Sequence, residues 1–273
     1  MTKLTDGILI LSHPDDECLF ASSILDKIST LIICFENIPN EENISIGRKN
    51  ALYKYPLKNL KVIKLCLTQS LPSFFPNNWS NIKDKYSGIK GGYEEKSYDK
   101  NYHLILNELR KIIPRKSVIF SHNPWGEYGH EDHSQVFKAA FKISNETESK
   151  LYVTGYCGNL TKSFSQRKLH LLTSEYFIFQ TNYEIFDKLK NHYLRNGCWT
   201  WYKKYSLPSI ELFYKININL DSNSISNIEK CNKYPLLYID NDYPYKSFIK
   251  KSIKKIIPYF VKNFLRKGRV YIN

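Results

Sequence analysis

Ile8-Leu9-Ile10-Leu11-Ser12-His13-Pro14-Asp15-Asp16-Glu17 is the stretch that decides the fold. In it, a short apolar run is followed directly by a histidine and three acidic residues. The aliphatic residues follow the turn signal Asp6-Gly7, which predicts a buried strand. Apolar residues return at helical spacing over residues 18–28, which predicts a helix. The polar residues therefore lie in a tight turn between a strand and a helix, where open α/β sheets bind their ligands.

A second polar cluster has the same arrangement. It follows the apolar run Val118-Ile119-Phe120 and precedes the helical pattern of residues 136–140. The cluster is Ser121-His122-Asn123-Pro124-Trp125-Gly126-Glu127-Tyr128-Gly129-His130-Glu131-Asp132-His133. If both strands are parallel in one sheet, the two clusters meet at its carboxyl edge. Imidazole and carboxylate groups from separate strand ends are what a zinc ion with an open coordination position requires.

The rest of the chain alternates strands and helices with short connections. The pattern predicts strands at 30–35, 60–67, 118–120, 151–157 and 210–220, and helices at 45–54, 99–113 and 183–195. This alternation predicts an α/β fold of three layers, with a Rossmann-like, mostly parallel sheet, helices on both faces and the active site at the carboxyl ends of the strands. A long aromatic loop over residues 68–98 either borders a pocket or is a surface insertion packed by its own side chains.

Composition bounds the domain organisation. The chain has 273 residues, of which 42% are hydrophobic, and this suits one large domain over residues 1–243 followed by a basic tail over 244–273. It contains no P-loop and no G-x-G-x-x-G motif. The formal net charge of +14 implies an anionic partner or surface.

Several absences bear on location. The six cysteines form no C-x-x-C pair and are typical of buried free thiols in a reducing compartment. The N-terminus lacks the features of a secretory signal, and no apolar stretch reaches the length needed to cross a membrane. We therefore expect a cytoplasmic protein, and the basic tail adds the inner membrane surface as a place of attachment.

The motifs His13-Pro14-Asp15-Asp16-Glu17 and Gly129-His130-Glu131-Asp132-His133 together closely resemble those of the PIG-L/LmbE-like zinc-dependent N-acetylglucosaminyl de-N-acetylases. The resemblance is specific at both motifs, extends loosely through the first two thirds of the chain, including Gly47-Arg48, and fades after about Gly197. It implies a hydrolase that removes the acetyl group from an N-acetylated amino sugar of a glycan, glycolipid or sugar conjugate. A place in cell-surface glycan biosynthesis follows from the same resemblance.

The resemblance also implies roles for the polar residues. The implied ligands of Zn²⁺, with Fe²⁺ as another divalent candidate, are His13, Asp16 and His133. Asp15 would be the general base that takes a proton from water and returns it to the sugar amine. His130 would stabilise the oxyanion, best in its protonated form, and an acid such as Asp132 would orient it. Glu131 stands where many family members carry proline, which affects no ligand.

Other polar residues have weaker assignments. Arg48 either reaches a phosphate or hydroxyl of the substrate or makes a surface salt bridge. Trp125, Glu127 and Tyr128 are candidate substrate contacts because they lie in the loop before His130. Glu17 is expected to cap or support its turn. His122 also stands at the end of the fourth strand, where it either approaches the site or makes structural hydrogen bonds.

Two other classes of function compete with the hydrolase. A non-haem iron oxygenase uses two histidines and one carboxylate, which His13, Asp15 and a distant histidine of this chain also offer. The helical spacing after Asp16 and after His133 argues against the double sheet common in those enzymes. A nucleic-acid-binding protein without catalysis would account for the basic charge and the many aromatic residues. No recognised nucleic-acid motif accompanies the charge, so we do not expect a nucleic-acid partner.

The tail is predicted to be a basic amphipathic helix kinked at Pro258. Its apolar residues at helical spacing are Ile249, Ile253, Ile256, Phe260 and Phe264. Its apolar face either docks on the catalytic domain or lies on an anionic membrane, where each lysine adds about 1 kcal/mol of binding free energy.

We expect the intact protein to float with anionic vesicles, but not with neutral ones, at low salt. Truncation after Asp242 should abolish flotation, because the lysines that contact the lipid are removed, and should leave acetate release from a soluble sugar intact. Vesicle flotation measures the first effect and an acetate assay the second. Unfolding of the truncated protein would instead place the tail in the core.

Overall fold

The computed structural model describes residues 4–70, 95–202, 205–218 and 234–239. The chain divides into two compact units. The first, residues 1–200 and 206–239, contains every helix and strand described below, and the second consists of residues 201–205 and 240–273. Most of the aromatic loop, the predicted boundary at 243/244 and the whole basic tail lie outside the described residues.

Seven strands form the central sheet, in the spatial order β3-β2-β1-β4-β5-β8-β7, and β6 pairs with β9 in a small separate sheet. The strands are Ile8–Leu11 (β1), Thr30–Asn37 (β2), Lys61–Thr68 (β3), Val118–Ser121 (β4), Lys150–Thr154 (β5), Tyr156–Gly158 (β6), Leu172–Gln180 (β7), Ile210–Ile216 (β8) and Leu237–Ile239 (β9). β1 to β5 are mutually parallel, whereas β8 runs antiparallel to both of its neighbours. The predicted mostly parallel α/β sheet is confirmed.

The helices form two layers against this sheet. They are Asp16–Phe20 (α1), Glu42–Tyr53 (α2), Glu95–Ile112 (α3), Glu131–Glu146 (α4), Lys162–Lys168 (α5) and Tyr183–Arg195 (α6). α3 and α4 contact each other and bury Ile8 and Ile10 of β1 in one core cluster. Because side chains alternate across a strand, Leu9 and Leu11 face the opposite layer, where α6 contacts both α1 and α2. Helices thus cover both faces of the sheet.

The first helix is much shorter than the predicted one over residues 18–28. α1 ends at Phe20: the Ala21 N–H still bonds to the Glu17 carbonyl, but the next two backbone amides bond to another element. Ser22 and Ser23 each donate a backbone N–H and a hydroxyl to the buried carboxylate of Glu211 on β8, at distances of 2.6–3.1 Å. Residues that would have continued the helix are therefore held by a side chain distant in sequence, which helical spacing alone does not reveal.

Two further strands differ from expectation. The predicted strand 151–157 is divided at Gly155 into β5 and β6, and a side chain at Gly155 would collide with Leu212. β7 was not predicted, because it lies at the edge of the sheet and most of its side chains are exposed, so its sequence lacks the apolar alternation of a half-buried strand. In the described part of the chain, no helix has the length and apolar character needed to span a membrane.

Glu211→Ala should lower the free energy of unfolding by about 3 kcal/mol, because it leaves four donors of Ser22 and Ser23 without their acceptor in a buried place. Urea denaturation followed by circular dichroism measures this change. The control is Glu108→Ala, which removes a half-exposed acid paired with Lys111 and should cost less than about 1 kcal/mol. Equal stability of the two variants would mean that the hydrogen bonds from Ser22 and Ser23 to Glu211 do not stabilise the fold.

Candidate metal centre

The two polar clusters meet at the carboxyl edge of the sheet. β1 and β4 are adjacent and parallel, with Ile8 opposite Ile119 and Ile10 opposite Ser121. The loops that leave these strands therefore start side by side, and α1 and α4 begin directly after them. This arrangement confirms the expectation that strand-end residues from both motifs converge.

Asp16 lies between the two histidines predicted to bind a metal. Its Oδ2 is 3.3 Å from His13 Nδ1, and its Oδ1 is 3.3 Å from His133 Nε2. Burial alone would raise the pKa of Asp16, but the neighbouring His133 and His13 rings hold that pKa well below its usual value. The ionised carboxylate and two imidazoles, all at most 4% exposed, present the N/O donor set of a catalytic zinc site.

Each of these histidines has its other ring nitrogen against a buried carboxylate. His13 Nε2 lies 2.9 Å from Asp132 Oδ2, and His133 Nδ1 lies 2.7 Å from Glu127 Oε2. Such a bond fixes the proton on the nitrogen that faces away from a metal. Among the described residues, His133 Nε2 has no hydrogen-bond partner, although it is buried. A divalent cation would supply the missing partner.

Glu127 is fully buried and lies behind His133. A contact with substrate stays a prediction for this residue. Besides His133, it contacts His122 Nδ1 at 3.1 Å and accepts hydrogen bonds from the Asn123 N–H and the Thr154 hydroxyl. Burial opposes ionisation, but His122 and His133 lower the pKa of Glu127 to about 2. A carboxylate in this position keeps the lone pair of His133 on Nε2.

His122 has both ring nitrogens in structural hydrogen bonds. The backbone N–H of Ser12 donates to Nε2 at 3.0 Å, so the proton lies on Nδ1 and is donated to Glu127. His122 Nε2 is also near Asp16, and Asp16, His122 and His133 have ligand atoms within 4.8 Å of one another. Its lone pair is nevertheless already occupied by the Ser12 amide, which favours His13 as the ligand.

Asp15 stands at the N-terminus of α1 in a strained backbone conformation with φ 100°. Its N–H donates to Glu17 Oε2 at 3.2 Å, and Glu17 in turn accepts hydrogen bonds from the hydroxyls of Tyr55 and Tyr193. Glu17 thus supports the turn as expected. Burial and the adjacent charge of Asp16 raise the pKa of Asp15 to about 6, against the lowering effect of Arg48.

His130 is the N-cap of α4 and is half-buried. Its Nδ1 accepts the backbone N–H of Asp132 at 3.2 Å, so Nδ1 carries no proton. Burial and the His13 and His133 rings also hold the pKa of His130 well below its usual value. The expectation of a protonated ring is therefore corrected: a neutral imidazole carries its proton on Nε2.

Asp132 orients two rings through different groups. Its backbone amide bonds to His130, and its carboxylate bonds to His13, whereas the sequence had suggested a carboxylate role towards His130. Gln69, directly after β3, donates to the same Asp132 oxygen at 2.6 Å. No sequence motif around Gln69 indicates that it contacts the site. This contact arises because the order of the strands brings the end of β3 close to Asp132.

The remaining predicted contacts have different outcomes. Trp125 is fully buried and its indole N–H donates to the Tyr156 carbonyl. A contact with substrate stays a prediction for it as well. Tyr128 is half-buried, with its ring centroid 5.4 Å from that of His133. Arg48 is 3% exposed, which excludes the surface salt bridge, and among described residues its Nε and Nη1 have no hydrogen-bond partner. Tyr128 and Arg48 stay predicted substrate contacts.

Known proteins resemble this chain mainly in their fold. No protein-family model matches it. It is 24% identical over 204 residues to the uncharacterised protein L374 of Acanthamoeba polyphaga mimivirus. The alignment covers 70% of this chain and 81% of L374. Two deacetylases share its architecture. The A40926 pseudoaglycone deacetylase Dbv21 has a TM-score of 0.50 and 12% identity, covering 81% of this chain and 100% of Dbv21. The zinc-inhibited form of the teicoplanin deacetylase Orf2 has a TM-score of 0.51 and 12% identity, and the match covers 77% of this chain and 98% of Orf2.

Glu127→Gln should weaken zinc binding about 10- to 100-fold, because the amide no longer holds the proton of His133 on Nδ1. Chelator competition with purified protein measures the dissociation constant. Glu108→Gln, a neutralising change on the outer side of α3, serves as the control and should leave zinc binding unchanged. Wild-type affinity in the Glu127 variant would mean that this carboxylate does not orient a ligand.

Proposed function

We propose that this protein is a PIG-L/LmbE-type hydrolase that uses Zn²⁺ to remove the acetyl group from an N-acetylated amino sugar of a glycan, glycolipid or sugar conjugate in cell-surface glycan biosynthesis. The observation that carries the proposal is the pair of carboxylate-bound imidazoles, His13 and His133, that both face Asp16. Asp15 lies directly beside this ligand set in the same turn. The deacetylase activity in the names of Dbv21 and Orf2 agrees with this proposal.

The chain provides a base for amide hydrolysis. A divalent cation held by His13, Asp16 and His133 would supply Lewis acidity and lower the pKa of a bound water molecule to around 7. Asp15 would take the proton of the attacking water and later deliver it to the leaving amine. Because Asp15 is 2% exposed, bulk water does not compete for that proton.

His130 would act on the acyl oxygen. Its Nδ1 is occupied by the Asp132 amide, so its Nε2–H would donate to the oxygen that develops negative charge. A neutral imidazole suits this site because burial disfavours a charged ring there, and a bound cation would disfavour it further. Donation without proton transfer is sufficient to stabilise an oxyanion.

The competing iron oxygenase would use His13, Asp15 and a distant histidine as its triad of two histidines and one carboxylate. Two features favour hydrolysis. α1 and α4 follow the two motifs directly, as in an open α/β sheet. Asp16, rather than Asp15, faces both His13 and His133, which leaves Asp15 available as the acid–base group. Fe²⁺ is compatible with the ligand set, so the identity of the metal does not by itself separate the two reactions.

Asp15→Asn should retain zinc but lower acetate release at least about a hundredfold, because an amide neither accepts the proton of water nor returns it to the amine. Elemental analysis measures the metal, and enzymatic acetate detection over a panel of N-acetylated sugars measures the reaction. His133→Ala is the companion variant and should lose both zinc and activity.

Wild-type turnover by the Asp15 variant would place the base elsewhere. Full zinc occupancy in the His133 variant would refute the ligand assignment. Oxygen consumption with a keto-acid cosubstrate, and no acetate release by the wild-type protein, would support the oxygenase instead.

A further inference from the structure

Thr200 contacts the proposed general base although it lies far from both motifs in the sequence. Its backbone N–H donates to Asp15 Oδ2 at 3.0 Å, and its hydroxyl donates to the same oxygen at 2.7 Å. Thr200 itself is exposed, whereas Asp15 is buried. A residue at the surface thus holds one defined oxygen of a buried carboxylate.

We propose that Thr200 is a positioning residue that directs Asp15 so that Oδ1, rather than Oδ2, receives the proton of the attacking water. The inference rests on the proposed function, because it concerns the base of that reaction. An ionised carboxylate oxygen offers about two lone-pair sites. The two donors of Thr200 fill those of Oδ2, which leaves Oδ1 as the more basic oxygen.

The backbone of Asp15 gives this contact a second role. A non-glycine residue at φ 100° is strained and keeps that conformation only when its surroundings determine it from several sides. Glu17 holds the Asp15 N–H, and Thr200 holds the carboxylate. The base is therefore fixed at both its backbone and its side chain.

The segment after α6 brings these supports together. Tyr193, in the last turn of α6, donates its hydroxyl to Glu17, and its carbonyl accepts the N–H of Cys198. Gly197 lies between them at φ 68°, which turns the chain out of the helix towards Thr200. One end of α6 thus supports the catalytic turn at two points, through Glu17 and through Asp15. The sequence resemblance fades at this segment, so Thr200 is absent from the motif pattern.

The hydroxyl of Thr200 can be tested separately from its backbone amide. Thr200→Val keeps the size and β-branching of the side chain and the N–H but removes the O–H donor, whereas Thr200→Ser keeps the donor. Thr173→Val makes the same chemical change on β7, where the hydroxyl bonds only locally, to Glu175. The three variants and the wild-type protein are compared with zinc bound and with an N-acetylated sugar that the wild type hydrolyses.

We expect kcat to fall about tenfold in Thr200→Val, since one hydrogen bond to a charged group is lost, with KM changed less than twofold. Thr200→Ser should restore kcat to within about twofold of wild type, and Thr173→Val should match wild type. Zinc content should be equal in all four proteins, because Thr200 contacts none of the ligands. Wild-type kcat in Thr200→Val, or no recovery in Thr200→Ser, would overturn the inference.

A readout independent of turnover separates this inference from the proposed function. Crystal structures of the wild type and Thr200→Val without metal should show the Asp15 carboxylate rotated away from its wild-type orientation in the variant. An unchanged orientation would overturn the positioning role. If the wild-type protein releases no acetate from any N-acetylated sugar, the proposed hydrolase fails, and the crystal structures still decide whether Thr200 holds Asp15.

Discussion

The site depends on one buried carboxylate, that of Asp16, held between the rings of His13 and His133. Removing an ionised group from water is unfavourable unless partners of suitable charge and geometry replace the water. The His13 backbone N–H, 2.8 Å from Oδ2, is one such partner. The nitrogens of His13 and His133 that face Asp16 are partners when they carry protons, and a divalent cation bound by all three groups would take the place of those protons. The two imidazoles come from two different strand ends, so the charge is stabilised only when β1 and β4 lie side by side.

A layer of further carboxylates surrounds this centre and gives each ring one orientation. Asp132 and Glu127 hold His13 and His133, and Glu17 holds the backbone of the turn. Several acids so close together would repel one another in water, but each is paired here with a hydrogen-bond donor. The donor atoms of the candidate site are thereby preorganised, as binding of a catalytic metal ion with an open position would require.

Sequence patterns were sufficient to predict those features of the structure whose physical cause lies within one short segment. The apolar run of β1, the helical period after His133 and the ligand-type residues between them follow from spacing, and they predicted both the sheet and the convergence of the motifs. Local patterns failed at Ser22 and Ser23, which end α1 because Glu211 binds their amides and hydroxyls. They also did not reveal that Trp125 and Glu127 turn inward and hydrogen-bond to Tyr156 and His133, since a polar loop beside a motif does not show which of its side chains are buried.

The sequence by itself determined the architecture and the chemical types at the site, because hydrophobic period and residue identity are properties of short segments. Only the tertiary structure decided which nitrogens of His13 and His133 face buried carboxylates, that the Asp132 amide occupies Nδ1 of His130, and that Gln69 and Thr200 contact the motif residues. These properties depend on hydrogen bonds between segments many residues apart. Such bonds exist only once the strand order brings those segments together, and no pattern within one segment encodes them.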